Sequence, residues 1–206
     1  MLILTRIVRP GEIVRAISAR STASADRGFS ARVQTTALTS GSSAANMMIE
    51  QPLDYDDVMD HVQLQRQLKT RICLDESIKT VTVARDAIAA GACRIINIKP
   101  GRVGGFAESV KLHDLCAAHG IPVWHGGMLE SGIGRAANIH LSTLPNFSLP
   151  GDIAASKRYF DPDLIDPAIT VGADGTIPVP TGPGIGVAIR EDRVDAATIK
   201  RAQFGA

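Results

Sequence analysis

Two carboxylic acids and a lysine end three successive hydrophobic runs of this 206-residue chain: Glu50 in MMIEQPL, Asp75 in ICLDES and Lys99 in RIINIKPG. They are spaced by 25 residues from 50 to 75 and by 24 from 75 to 99, about one strand plus one helix each. If the runs are parallel strands, the three side chains converge on one mouth. Carboxylates beside a lysine at the C-terminal ends of parallel strands point to metal-assisted proton abstraction.

Each run is short, apolar or β-branched, and is followed by polar or turn-forming residues, which predicts a strand. Side chains alternate faces along a strand, so Ile95, Asn97 and Lys99 share one face while Ile96 and Ile98 take the other. With Ile96 and Ile98 against helices, Asn97 and Lys99 point inward; the same parity groups Met48 with Glu50 and Cys73 with Asp75. Helical patterns fill the gaps at 56–68, 81–90 and 107–119. The order continues with a strand at 121–127 (IPVWHGG), a helix at 132–144 and a last short strand at 146–152 (NFSLPGD). Strand and helix alternating at this interval predict βαβ units. The expected fold is therefore α/β, a partial (β/α) barrel of about five βα units, where a complete barrel takes eight units and usually about 250 residues.

Five motifs in order, MMIEQPLDYDD, ICLDESI, GACRIINIKPGRVGG, HDLCAAHGIPVWHGGMLESGIGRA and LPNFSLPGDI, make residues 47–206 resemble the o-succinylbenzoate synthase and N-acylamino acid racemase branch of the enolase superfamily. The resemblance implies a magnesium ion held by carboxylates, an enediolate intermediate and a small carboxylate substrate, with the synthase reaction belonging to menaquinone biosynthesis. It matches Glu50 and Asp75 to the second and third metal ligands and Lys99 to the acid/base lysine of the sixth strand. Magnesium prefers hard oxygen ligands and keeps positions open for water and substrate, which suits carboxylates at such a mouth. A lysine there either takes the α-proton or stabilises the charge left behind. Asn97 and the turn of Gly126, Gly127 and Met128 are expected to approach the substrate, with Glu130 and Ser131 lining its pocket. Glu76 is at most a partner of the neighbouring ligand.

Taken singly, an acid at a strand end is a helix cap or a solvated loop residue, and Lys99 before Pro100 is a surface lysine at a turn; their joint spacing and the family motifs together reverse that reading. His125 is expected to pack or to wall the pocket, and His61, His113, His119 and His140, in helical stretches, to face solvent. Gly101 to Gly105 lacks the lysine and hydroxyl of a phosphate loop and predicts a tight turn into a helix. Cys73, Cys93 and Cys116 show no metal-ligand spacing and fit small buried residues in a reducing cytoplasm. The net charge of +1 gives no reason to expect nucleic acid, and no apolar run is long enough for a membrane span; a homo-oligomer stays open.

Residues 1–46 differ from the rest. They hold six arginines and no lysine against Glu12 and Asp26, a net +4, and about a quarter of them are Ser or Thr. No period persists from 21 to 46, so the stretch is expected to be disordered or poorly packed. Its composition fits an organellar transit peptide. A frame-shifted stretch in the place of earlier barrel strands fits better, because the family pattern begins abruptly at Met47. RIVRPG faintly resembles the family's lysine-pair strand without its lysines, and Asp26, in SADRGF, is not expected to ligate metal. The capping domain and first strands of the family are then missing, which leaves one base where racemisation needs two. The tail at 176–187, alternating and rich in Pro and Gly, is expected to be extended and either mobile or recruited by another chain. Three classes follow: a magnesium-dependent lyase or isomerase, a Schiff-base aldolase with Lys99 as nucleophile, and an inactive remnant.

Overall fold

The computed structural model describes residues 48–204. The readings made for residues 1–46, with Asp26 and RIVRPG, lie outside the described residues. The described residues fall into two compact units, one of 48–126 with 145–151 and one of 127–144 with 152–204.

In the first unit, four strands form one parallel sheet in sequential order: β1 (Met48–Glu50), β2 (Arg71–Leu74), β3 (Ile95–Ile98) and β4 (Val123–His125). Nearly every strand residue is buried, as expected where a parallel sheet is covered on both faces. The register pairs Glu50 with Cys73, Cys73 with Ile95 and Asn97 with Trp124. One face therefore carries Met48, Cys73, Ile95 and Trp124, which pack together with Leu149 against them. That cluster forms a floor, and the next residues of the same parity, Glu50, Asp75, Asn97 and Lys99, stand above it. The face assignment made from alternation holds.

The connecting helices are α1 (Val58–Gln67), α2 (Val81–Ala90) and, after a single turn α3 (Pro100–Val103), α4 (Phe106–Ala118). Asp57 caps α1 by accepting from the Asp60 N–H, and Thr80 caps α2 by accepting from that of Val83. Gly91, at φ 77°, ends α2 in the left-handed conformation that glycine reaches without strain. In α4 the buried positions Ser109, Leu112, His113 and Cys116 follow the i, i+3, i+4, i+7 pattern of a single helix face.

Three expectations for this unit are corrected. The stretch 146–152 is not a fifth strand. It meets β4 through one backbone bond, from the Val123 N–H to the Asn146 carbonyl, and Pro150 has no N–H to extend a ladder. Among the described residues the parallel sheet therefore has four strands, not five. His61 and His113 are buried rather than solvent-facing. His61 donates from Nδ1 to the Asp57 carbonyl (2.7 Å) and accepts at Nε2 from the Leu53 N–H (3.3 Å). His113 bonds Asp114 through Nδ1 and accepts from the Asn146 N–H at Nε2 (3.0 Å). His119 is exposed as expected.

The second unit holds α5 (Gly132–Leu141), a 3-10 turn (Ser156–Arg158), an antiparallel pair β5 (Ile165–Asp166) and β6 (Ala188–Ile189), and α6 (Glu191–Ala197). Its core is Ala136, Ile139, Ile165 and Ile169. Ile177, Ile185 and Val187 of the extended tail pack on that core, and His140, half-buried, bonds the Ile185 carbonyl. The tail is thus anchored within its own unit, not free. All three cysteines are buried and free. Burial holds the thiols of Cys93 and Cys116 up at about 12 and raises that of Cys73 as well. No helix among the described residues is long and apolar enough to cross a membrane.

Candidate active site

Parallel strands end together, so residues just past β1, β2 and β3 collect at one end of the sheet. Asp75 follows β2 directly and is almost fully buried. Lys99 follows β3 and is held extended (φ −127°, ψ 109°), as a residue before proline must be. Pro100 then opens α3, which needs no N–H at that position. One turn later Arg102 returns toward the same end.

Lys99 and Arg102 bracket Asp75. The Lys99 ammonium lies 2.5 Å from Asp75 Oδ2, and the Arg102 guanidinium pairs through Nη1 with Oδ1. Arg102 also donates from Nε to the Ile78 carbonyl (2.8 Å) and from Nη2 to that of Asn97. Its planar fork therefore ties the loop after β2 to the end of β3. Arg102 was not among the residues singled out from sequence. The signal was its place one helical turn beyond Lys99 in KPGR, hidden by reading GRVGG only as a turn. That turn is present, with Gly104 and Gly105 at φ 98° and 107°.

Glu50 ends β1 and accepts from Asn97 Nδ2 at 2.8 Å. This fixes the amide of Asn97 with its donor on the carboxylate and leaves Asn97 Oδ1 buried without a hydrogen-bond donor. Gly126, just past β4, abuts Asn97 and Lys99 so closely that a Cβ there would collide with both side chains. The close approach predicted for this glycine is thus made to the site's own residues. Glu76 is exposed, and the polar partners of the Asp75 carboxylate are Lys99 and Arg102.

His125 points to the helix side of the sheet, paired with Ile98, and is fully buried. It stacks on Phe147 (centroids 5.8 Å apart), which stacks in turn on His113 at 5.5 Å. Burial, and secondarily the charge of Lys99, lowers its pKa to about 4, so it packs as a neutral ring.

Gly127, Met128, Glu130 and Ser131 belong to the second unit. There Glu130 accepts from the Met128 N–H and from Asn138 Nδ2, Gly127 N–H bonds Asp152, and Ser131 precedes α5. Met128 is exposed.

In type, the donors of the first unit suit a hard cation: two carboxylates, Glu50 and Asp75, and the orphaned Asn97 Oδ1. In number they are few. Among the described residues no three His, Cys, Asp or Glu gather as a metal cluster, and both oxygens of Asp75 are engaged by cations.

The chain is similar in sequence and fold to known proteins. A family described as enolase C-terminal domain-like matches residues 23–193, reaching into the segment ahead of Met47. An N-succinylamino acid racemase of an Amycolatopsis species is 54% identical over 159 residues, 77% of this chain and 43% of the racemase. The o-succinylbenzoate synthase of Bacillus subtilis is 56% identical over 146 residues, 71% of this chain and 39% of the synthase. A solved enolase-superfamily member from Listeria innocua superposes with a TM-score of 0.69 at 48% identity, over 72% of this chain and 40% of that one. The chain spans about two fifths of the length of the relatives it matches. These names are the synthase and racemase branch to which the five motifs pointed.

Proposed function

The chain belongs to the enolase C-terminal domain-like family, and on that premise we propose that it carries one side of a site for abstracting the α-proton of a small carboxylate substrate. The reactions are the dehydration of an o-succinylbenzoate synthase, the racemisation of an N-acylated amino acid, or both. The observation that supports this reading best is the Asp75–Lys99 pair at the ends of adjacent parallel strands, with Glu50 on the next strand. The four strands are then part of a (β/α) barrel, and a cytoplasmic location goes with the same reading.

Lys99 exchanges the proton with the substrate α-carbon, and Asp75 holds its ammonium in place. Asn97 fixes the orientation of Glu50. Glu50 and Asp75 would hold a magnesium ion, which when bound supplies positive charge beside the substrate carboxylate. Gly126, packed against Asn97 and Lys99, would line the substrate. For a two-base racemisation a second amine is needed, and the sequence has no lysine before Lys69. A site with a single acid/base group is expected to work slowly, since loss of one such group commonly costs about 10² to 10⁴ in rate.

The test is exchange of the α-proton of an N-succinylamino acid in deuterated water, with and without added magnesium. Slow, magnesium-dependent exchange that disappears in Lys99→Met supports the reading; exchange indifferent to that substitution contradicts it. A second reading, an inactive remnant, is favoured by the saturation of Asp75 by Lys99 and Arg102. No exchange with either substrate class, in a chain that melts with poor cooperativity, selects it. Borohydride trapping of a substrate on Lys99 would instead select a Schiff-base aldolase.

A further inference from the structure

Directly after Glu50 stands a residue whose side chain spans to the next strand's loop. Gln51 is buried and has φ 39°, a left-handed backbone that a non-glycine residue adopts only where its surroundings compel it. Its own N–H donates to the Cys73 carbonyl at 2.9 Å, continuing the β1–β2 ladder one step. Its Oε1 accepts from two backbone N–H groups, Asp75 at 2.9 Å and Ser77 at 3.3 Å. Its Nε2 donates to Ser77 Oγ at 2.7 Å and to the Leu53 carbonyl at 3.3 Å, with His61 Nε2 at 3.5 Å. His61 is locked as an acceptor there by its Nδ1–H bond to Asp57.

The amide thus has both donors and its acceptor in use, all within the two loops that carry Glu50 and Asp75. A buried amide satisfied on every side is costly to displace, because any shift leaves N–H groups or carbonyls unpaired. We propose that Gln51 is a positioning residue: by gripping the Asp75 and Ser77 N–H groups from the end of β1, it sets where the Asp75 carboxylate stands relative to that of Glu50. The inference rests on the reading of those two acids as one functional pair, and it gives the left-handed backbone at Gln51 a role, since in that conformation the amide meets the neighbouring loop.

The test uses the full chain and hydrogen exchange at single amides. In Gln51→Leu, exchange at Asp75 and Ser77 should rise at least tenfold more than at Leu112, in the remote helix α4. Gln51→Glu keeps an acceptor for both N–H groups, and the Ser77 hydroxyl turns to donate to it; protection at the two amides should return to within about threefold of the parent. Ser77→Ala, a milder change that stays folded if Gln51→Leu does not, should speed exchange at Asp75 by a smaller factor with Leu112 unmoved. Unchanged protection at Asp75 in the folded variants, or an equal rise at Leu112, overturns the assignment. Manganese binding followed by electron paramagnetic resonance separates the two claims. An absence of binding by the parent chain removes the cation reading, while the exchange pattern decides the role of Gln51 by itself.

Discussion

Asp75 is the residue through which the site stands or falls, because its side chain is 5% exposed and balances two cations of unequal burial, Arg102 at 13% and Lys99 at 19%. Arg102 also feeds the Ile78 and Asn97 carbonyls, so Arg102→Met strips three acceptors at once. A loss of about 3 kcal/mol in urea unfolding is expected, the usual cost of breaking a buried pair by removing one partner. Lys99→Met leaves Arg102 on the carboxylate and should cost about 1 kcal/mol, closer to the value of a partly exposed ion pair. The ordering is the test: equal losses would mean that the fork of Arg102 contributes no more than a point charge. Gly126→Ala acts on the same residues by crowding, forcing Asn97 and Lys99 aside. It should destabilise by about 1 to 3 kcal/mol, as overpacking does, and lower any proton-exchange activity more than stability alone explains.

At the scale of elements, local chemistry decides which boundaries could be read. Helix α2 begins and ends where the sequence predicts, 81–90, because Thr80 and Gly91 are both local signals. Thr80→Ala should therefore cost about 1 kcal/mol, measurable by denaturation, and an unchanged midpoint would show that the Val83 N–H finds water instead. The strands carrying Glu50, Asp75 and Lys99 were legible for the same reason, an apolar run closed by a polar residue. The stretch 146–152 was not, since its apolar residues look strand-like while its pairing depends on partners elsewhere in the chain. The burial of His113 was hidden likewise: its acceptor role is satisfied by the Asn146 N–H, 33 residues away. Helix α1 shows the same effect. Gln65 is buried because its amide bonds the Ile72 N–H and the Leu68 and Thr70 carbonyls, contacts that hydrophobic periodicity cannot register. Arg102 and Gln51 escaped notice because each acts on a loop about 24 residues from its own position.

For the whole molecule, the sharpest expectation concerns acid. His125 is neutral when folded, with its pKa lowered to about 4 from 6.5, first by burial and then by the charge of Lys99. The unfolded chain binds a proton to this ring below pH 6.5 while the folded chain does not, so stability rises with pH across that window. The contribution is complete above pH 6.5 and is lost as pH falls through about 4, amounting to about 2 kcal/mol by pH 5 and about 3 kcal/mol by pH 4. Trp124, the chain's single tryptophan, is buried beside His125 in sequence, with its indole N–H on Cys73 Sγ. Its fluorescence therefore reports unfolding of the unit in question. His125→Phe preserves an aromatic ring against Phe147 and removes the titration. Urea unfolding of both proteins at pH 7.5, 5 and 4 should show the parent losing that much more stability than the variant. Carboxylates titrating in the same range shift both proteins alike and cancel in the difference. Parallel stability curves would mean that the ring takes up its proton within the fold, and that the packing against Phe147 opens to water before the sheet does.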